Sequence, residues 1–177
     1  SGFHLQPRIQ RLEAALETPS EPTARRAFVE LTRVLIDERE DFEQAEAVAE
    51  RGLERFGEET ALLELLEDIH RRQQRWDAVV TILRRRLEIA DSIEGRLAVR
   101  KALAHLFEAK LDDKRRALEV LTQAEEEGPF DLEVSRERER LLLEAIDWSR
   151  LPATLERRLS DVDDEQLAGL TRASLVR

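Results

Sequence analysis

The side chains that could do chemistry are few, and the three histidines come first. His70 and His105 lie 35 positions apart, and Asp68 and Glu108 are close to them in sequence. Two imidazoles and two carboxylates could hold a divalent metal ion if stacked helices brought them together. Ordinary surface histidines are far commoner, so we predict no metal site and no cofactor.

Other catalytic signatures are missing from the sequence. The chain has no Cys, which excludes disulfides, thiolate zinc sites and cysteine nucleophiles. It contains no glycine-rich phosphate loop, no G-x-S-x-G and no H-E-x-x-H. The acidic pairs Glu58-Glu59 and Asp163-Asp164 are interpreted as favourable charges in first helical turns. We therefore predict that the protein is not an enzyme.

The distribution of charge bears on the partners. Residues 1–91 carry 14 Lys/Arg against 20 Asp/Glu, and residues 92–177 carry 15 against 19, within a net charge of −10. Nucleic-acid binding requires a clustered basic surface, so no nucleic-acid partner is expected. No apolar run approaches the roughly 18 residues of a membrane span, so no membrane partner is expected either. A cytoplasmic location is the default expectation.

The composition also indicates where the chain comes from. It contains no Met, which indicates a fragment or a processed chain of a larger protein. Of its 29 basic residues only three are Lys, and the rest are Arg, which has GC-rich codons. We therefore expect one module of a larger bacterial protein.

The elements that must position these residues are predicted to be helices. Gly and Pro number six and five, Tyr is absent, and Ala, Leu, Glu and Arg are abundant, which favours helix over sheet. A similar motif recurs at steps of 34, 38 and 34 residues. Its four copies open at Phe42, Trp76, Lys114 and Trp148. The third and seventh positions after each opener are small or apolar and share one helical face.

A second amphipathic segment precedes each motif, at 23–38, 60–73, 94–109 and 131–146, which predicts helical hairpins. Further helices are predicted at 6–17 and 164–176, about ten helices in total. We expect extra loop residues near 110–113 to account for the 38-residue step, and an Asp91 cap on the third pair. The predicted organisation is one continuous domain with a leading helix (1–20), four repeats (21–57, 58–92, 93–128, 129–161) and a trailing helix (162–177).

The third copy resembles the tetratricopeptide repeat (TPR) family. Leu103, Ala104 and Phe107 match that family's pattern in the first helix, and Ala117, Leu118, Leu121 and Ala124 match it in the second. The resemblance implies an all-α fold, an α-solenoid of antiparallel helix hairpins wound into a right-handed superhelix. The sequence departs from the family where Arg33 and Glu67 replace a small residue and where Arg86 and Arg158 replace a later Ala. On this reading Trp76 and Trp148 are wedges between helices.

The resemblance also implies a function. TPR proteins generally bind protein segments in a groove lined by the first helices, which makes this chain a non-enzymatic interaction scaffold. The matching positions are Glu30, Asp37, Glu64, Asp68, Arg71, Arg72, Lys101, His105 and Glu108. The chain has no Asn, so the amide clamps of some family members are missing and a partner must bind through charge and apolar contacts. Arg71, Arg72 and Lys101 are expected to contact an acidic partner.

The end of the chain offers an alternative function. Leu167, Leu170 and Leu175 form an apolar stripe where a terminal repeat normally carries a polar outer face. This stripe could stack on a further repeat or on a second copy of the chain. The alternative is therefore a structural spacer or self-association module that uses the ends of the solenoid.

Overall fold

The computed structural model describes residues 5–128 and 131–145, and that part of the chain is all helical, with no strand. The eight helices it contains are α1 (Leu5–Leu16), α2 (Glu21–Asp37), α3 (Phe42–Phe56), α4 (Thr60–Arg72), α5 (Trp76–Ile89), α6 (Ile93–Ala109), α7 (Lys114–Glu127) and α8 (Leu132–Ala145).

The all-α prediction is confirmed for these residues, and the predicted helices agree with the observed ones to within about two residues. The predicted second helix of repeat 4, which contains Trp148, and the predicted trailing helix lie outside the described residues. The chain divides into two compact units, Ser1–Ser135 and Arg136–Arg177. In the second unit, Arg140 pairs along α8 with Glu137 and Glu144, at 2.5 and 2.6 Å.

In the first unit, each helix from α1 to α6 packs against the next one, and α2 also packs against α4. The stripe predicted on α2 is buried: Phe28, Leu31 and Leu35 expose 2% or less of their surface. Phe28 meets the ring of Phe56 on α3 edge to face, with centroids 5.8 Å apart. Aromatic pairs favour this geometry because the positive ring edge faces the negative ring centre.

Gly52 allows three of these helices to approach closely. It is buried on α3, and a Cβ at this position would lie 2.7 Å from Leu62 Cδ1 on α4 and 3.2 Å from the Phe28 ring on α2. Those distances are too short for any larger residue without displacement of the neighbours. The small residue therefore sets the separation of α2, α3 and α4.

A similar turn joins the two helices of three successive hairpins, with three residues between α4 and α5 and four residues in the other two. Glu40, Gln74 and Asp112 each have a positive φ, between 50° and 57°, two residues before the second helix begins. The next residue donates its backbone N–H back to the preceding helix. These bonds run from Asp41 to Leu35 O, from Arg75 to His70 O and from Asp113 to Phe107 O, at 2.8 to 3.0 Å. The repeat is therefore present in the backbone as well as in the sequence.

An aspartate caps the second helix in two of the three hairpins. The Asp41 and Asp113 side chains accept from the N–H of Gln44 and Arg116, at 3.1 and 2.9 Å. Arg75 holds the same position before α5 without a side-chain cap. On α6 the predicted Asp91 cap is wrong, because Ser92 accepts from Gly95 instead, at 2.9 Å.

Two other sequence predictions need correction. The 38-residue step was expected to come from extra loop residues, but α6 has 17 residues where α4 has 13, so most of the difference is one more helical turn. Arg33 was placed at the small-residue position of the first repeat. It is exposed, and its neighbour Thr32 is fully buried and donates its hydroxyl to Phe28 O at 2.8 Å.

Trp76, at the start of α5, is half-buried, and the Lys110 ammonium lies 5.2 Å from its ring centroid. This contact joins α5 to the end of α6. A search of the described helices finds none with the length and apolarity to cross a bilayer.

Replacing Gln74 by Gly is expected to stabilise the protein by about 1 kcal/mol, because glycine adopts a positive φ without the strain that a Cβ introduces. The measurement is the free energy of unfolding in urea. Gln73→Gly is the matched control, since Gln73 has a φ of −85° and a glycine there only adds flexibility to the unfolded chain. Equal changes in the free energy of unfolding for the two variants would contradict the assignment of backbone strain to Gln74.

Candidate functional site

An open cleft of about 540 Å³ runs along α2. We call it the α2 cleft. Arg8 of α1 borders it on one side, and Glu59, the residue before α4, borders it on the other. Its remaining lining residues come from α2 and the turn after it: Arg25, Arg26, Val29, Glu30, Arg33, Val34, Asp37 and Glu38.

Several charges of the α2 cleft are already paired with each other. Arg8 donates to Glu30 at 3.0 Å and to Glu38 at 2.7 Å, and these contacts raise the pKa of its guanidinium. Arg25 pairs with Glu21 at 2.7 Å and with Glu59 at 3.4 Å. These pairs tie α1 and the start of α4 to α2.

Two cations of the α2 cleft are left over. Arg26 and Arg33 are exposed on α2, seven positions apart, and neither has an ion pair within the described part of the chain. Val29 lies between them in sequence and is half-buried, so the cleft also offers apolar surface. Such an arrangement can bind a ligand that carries carboxylates and an apolar group. It contains no arrangement of nucleophile and base.

Two of the nine predicted partner-binding residues, Glu30 and Asp37, line the α2 cleft. Asp37 also belongs to a cluster with the predicted residues Asp68 and Arg72. The Arg72 guanidinium contacts Asp68 at 2.9 Å and Asp37 at 3.0 Å, and these hydrogen bonds raise its pKa. The predicted residues of α2 and α4 are thus brought together by an ion pair.

The other predicted cations have internal partners too. Arg71 pairs with Glu67 at 2.7 Å. Lys101 contacts Asp131 at 2.9 Å and Glu133 at 2.7 Å, which raises its pKa. A partner would have to compete with these carboxylates for Arg71, Arg72 and Lys101.

The remaining predicted partner-binding residues, Glu64, His105 and Glu108, do not line the α2 cleft. Glu64 pairs with Arg86 at 2.7 Å. His105 is exposed and Glu108 is half-buried, both on α6. The leucines of the alternative function, Leu167, Leu170 and Leu175, lie outside the described residues.

A buried ion pair joins α4 to α5. The Glu67 side chain is 11% exposed and receives hydrogen bonds from Arg71, at 2.8 Å, and from Arg86 on α5, at 2.5 Å. Sequence reasoning did not identify this pair. Its signal was present, because Glu67 and Arg86 both depart from the small residues of the TPR pattern and carry opposite charges.

Other ion pairs join residues that are one repeat apart. Their partners are separated by 34 or 35 positions. The pairs are Glu17–Arg51, Arg25–Glu59, Asp37–Arg72 and Glu50–Arg85, at 3.0 to 3.4 Å. Glu58 and Glu59, interpreted above as first-turn charges, precede α4 and instead contact Arg85 and Arg25.

His70 is a buried titratable group on α4, so its interpretation as an ordinary surface histidine is wrong. It is 5% exposed, and its Nδ1 has no hydrogen-bond partner among the described residues. Burial lowers its pKa, and the nearby charge of Arg75 lowers it further, while Glu46 and Glu50 oppose this shift. Across residues 5–128 and 131–145, no group of three or more acidic or histidine side chains is arranged to hold a metal ion.

Comparison with known proteins adds no relative to this picture. No family model, no curated protein and no solved structure matches the chain. The TPR resemblance therefore rests on the residues quoted above.

The protein is expected to lose stability as the pH falls from about 7 to about 5, partly through His70. Because the folded state holds the pKa of His70 below its unfolded value, the unfolded chain takes up the proton first. One such group contributes at most about 1.4 kcal/mol per pH unit. Urea unfolding at a series of pH values measures the free energy of unfolding as a function of pH. The slope of that dependence should be shallower for His70→Gln than for the unmodified protein.

His105→Gln removes an exposed histidine from the neighbouring first helix and is the matched control. It should keep the slope of the unmodified protein. A slope that His70→Gln leaves unchanged would contradict the role given to the buried imidazole.

Proposed function

We propose that the chain is a non-enzymatic protein-interaction module of a larger bacterial protein, built from stacked TPR-like hairpins. In this proposal the hairpins form an α-solenoid with a right-handed superhelix. The groove of the first helices binds a segment of another protein, and the α2 cleft is the part of that groove contributed by the first repeat.

Three features of the first unit support the stacking. The turn with a positive φ recurs in three hairpins. Ion pairs join residues 34 or 35 positions apart, as expected when equivalent helices of successive repeats lie side by side. The first helices of repeats 1 and 2, α2 and α4, pack against each other.

The observation that carries the binding proposal is the state of Arg26 and Arg33. Both line the α2 cleft, both are exposed, and the described part of the chain provides neither with a carboxylate. In a protein of net charge −10, they offer positive charge that no carboxylate of the described residues pairs with. They favour a partner segment that carries acidic residues around an apolar side chain, which Val29 would contact.

A second candidate function is self-association, and the exposed leucines of α8 favour it. In the second unit Leu142 and Leu143 are 39% and 46% exposed, neighbours on one helix. Exposed apolar patches often mark contact surfaces. In this alternative the module is a structural spacer that binds another copy of itself.

The test uses an array of synthetic peptides of about twelve residues that vary in net charge and apolar content. Peptides with Asp or Glu on both sides of a Leu or Phe are expected to bind. The double variant Arg26→Ala/Arg33→Ala should weaken them roughly 5- to 30-fold, because each exposed charge contact contributes about 0.5–1 kcal/mol. Fluorescence anisotropy measures the affinity, and added salt should lower it.

Arg115→Ala is the matched control, because Arg115 is an arginine of α7 whose side chain is 90% exposed and which lies outside the α2 cleft. Equal affinities for the double variant and the control would contradict the proposed site. Light scattering on the same samples separates the two functions. A molar mass that doubles with concentration, and that Leu143→Glu returns to the monomer, would favour self-association instead.

A further inference from the structure

A second cleft, of about 180 Å³, lies between α5, α6 and α7. It shares no lining residue with the α2 cleft. Each helix contributes one arginine to it: Arg84 from α5, Arg100 from α6 and Arg116 from α7. We call it the arginine cleft.

Arg100 is buried, unlike the other Arg and Lys side chains of the described residues. Only 7% of its surface is exposed, and it forms an ion pair with Glu127. Its Nε–H is buried and has no hydrogen-bond partner in the part of the chain that the structure describes. A buried donor without an acceptor costs about 1–3 kcal/mol, so an acceptor brought by a ligand would remove a real penalty.

The other two arginines differ in their partners. Arg116 is held in place, because it contacts Asp113 at 2.6 Å and lies 5.1 Å from the ring centroid of Phe107. Arg84 is exposed and has no ion pair within the described residues. The only carboxylate that lines this cleft, Glu119, already contacts Arg115 at 3.1 Å. The cleft therefore retains positive charge.

The size and the apolar lining limit the kind of ligand. Small-molecule and cofactor sites generally occupy about 300–1,000 Å³, so a cleft of about 180 Å³ is too small for them. It has room for one large side chain. Leu87 and Val120 are half-buried and line it, so they can contact an apolar group.

We propose that the arginine cleft binds an acidic peptide segment of a partner protein, in which a large apolar side chain lies next to an Asp or Glu. The apolar side chain packs against Leu87 and Val120. The carboxylate contacts Arg84 and accepts from the buried Nε–H of Arg100. This inference rests on the proposed function as a protein-interaction module. It adds a second contact surface, lined by α5 and α7, the second helices of repeats 2 and 3, together with α6.

The probe is a peptide of about twelve residues with Asp and Leu alternating at its centre and Ser and Gly elsewhere. Two matched peptides replace either every Asp by Asn or every Leu by Ala. Binding is followed by ¹⁵N–¹H NMR on the full chain, which shows both the affinity and the residues contacted. The acidic Leu peptide should shift the amide signals of Arg84, Val120 and Gln123, and either replacement should weaken binding by about tenfold or more.

Two variants test the contacts without removing the fold. Arg84→Glu reverses an exposed charge that has no ion pair in the described residues. Arg100→Lys keeps the charge opposite Glu127 and removes the Nε–H donor. Each should weaken the acidic Leu peptide about tenfold. The control, Arg39→Glu, should leave the affinity unchanged, because Arg39 is exposed, has no ion pair in the described residues and lines neither cleft.

The outcomes separate this inference from the proposed function. Signal shifts confined to residues of the α2 cleft, or equal affinities for Arg84→Glu and Arg39→Glu, would overturn the arginine cleft and leave the α2 cleft in place. If the peptides shift signals in neither cleft, both proposals are overturned. Loss of binding in Arg84→Glu and Arg100→Lys, with a normal spectrum in both, is the result expected.

Discussion

The pairing of α4 with α5 depends on one constraint, that the buried carboxylate of Glu67 must have cationic partners. This carboxylate is buried between α4 and α5, where the TPR pattern has small residues that let helices approach. Burying a charge costs several kcal/mol unless opposite charges and hydrogen bonds replace the lost water. Arg71 and Arg86 provide both, and Arg86 also contacts Glu64. The two helices are therefore joined by an ionic contact at positions where the TPR pattern has small side chains.

This pairing has consequences for binding. A chain that is 38% charged can satisfy most of its charges internally, and the ion pairs at 34- or 35-residue spacing show how the repeat makes this systematic. Cations that are already in ion pairs contribute little to the free energy of binding a partner, since they would exchange one carboxylate for another. Among the described residues, Arg26 and Arg33 in one cleft and Arg84 in another are cations without such a partner, and in our proposal they are the contacts for an acidic segment.

The helices were predictable because their signal is local. Apolar residues at spacings of three and four place Phe28, Leu31 and Leu35 on one face, and that face is buried. Boundaries were less certain where two capping residues adjoin, as at Asp91 and Ser92.

The site was only partly predictable: Glu30 and Asp37 do line one cleft, but whether a charge is free depends on side chains from other helices. Sequence periodicity places Arg72 on the first-helix face and cannot show that Asp37 and Asp68 already hold it.

The most direct test of this account is a double-mutant cycle on the buried pair. Glu67→Ala and Arg86→Ala should each lower the free energy of unfolding by about 2–3 kcal/mol, because each leaves a partly buried charge with one ion pair fewer. The double variant restores two small residues and should lose at least about 1 kcal/mol less than the sum of the single losses. Losses that add to within about 0.5 kcal/mol would contradict the claim that this ion pair joins α4 to α5.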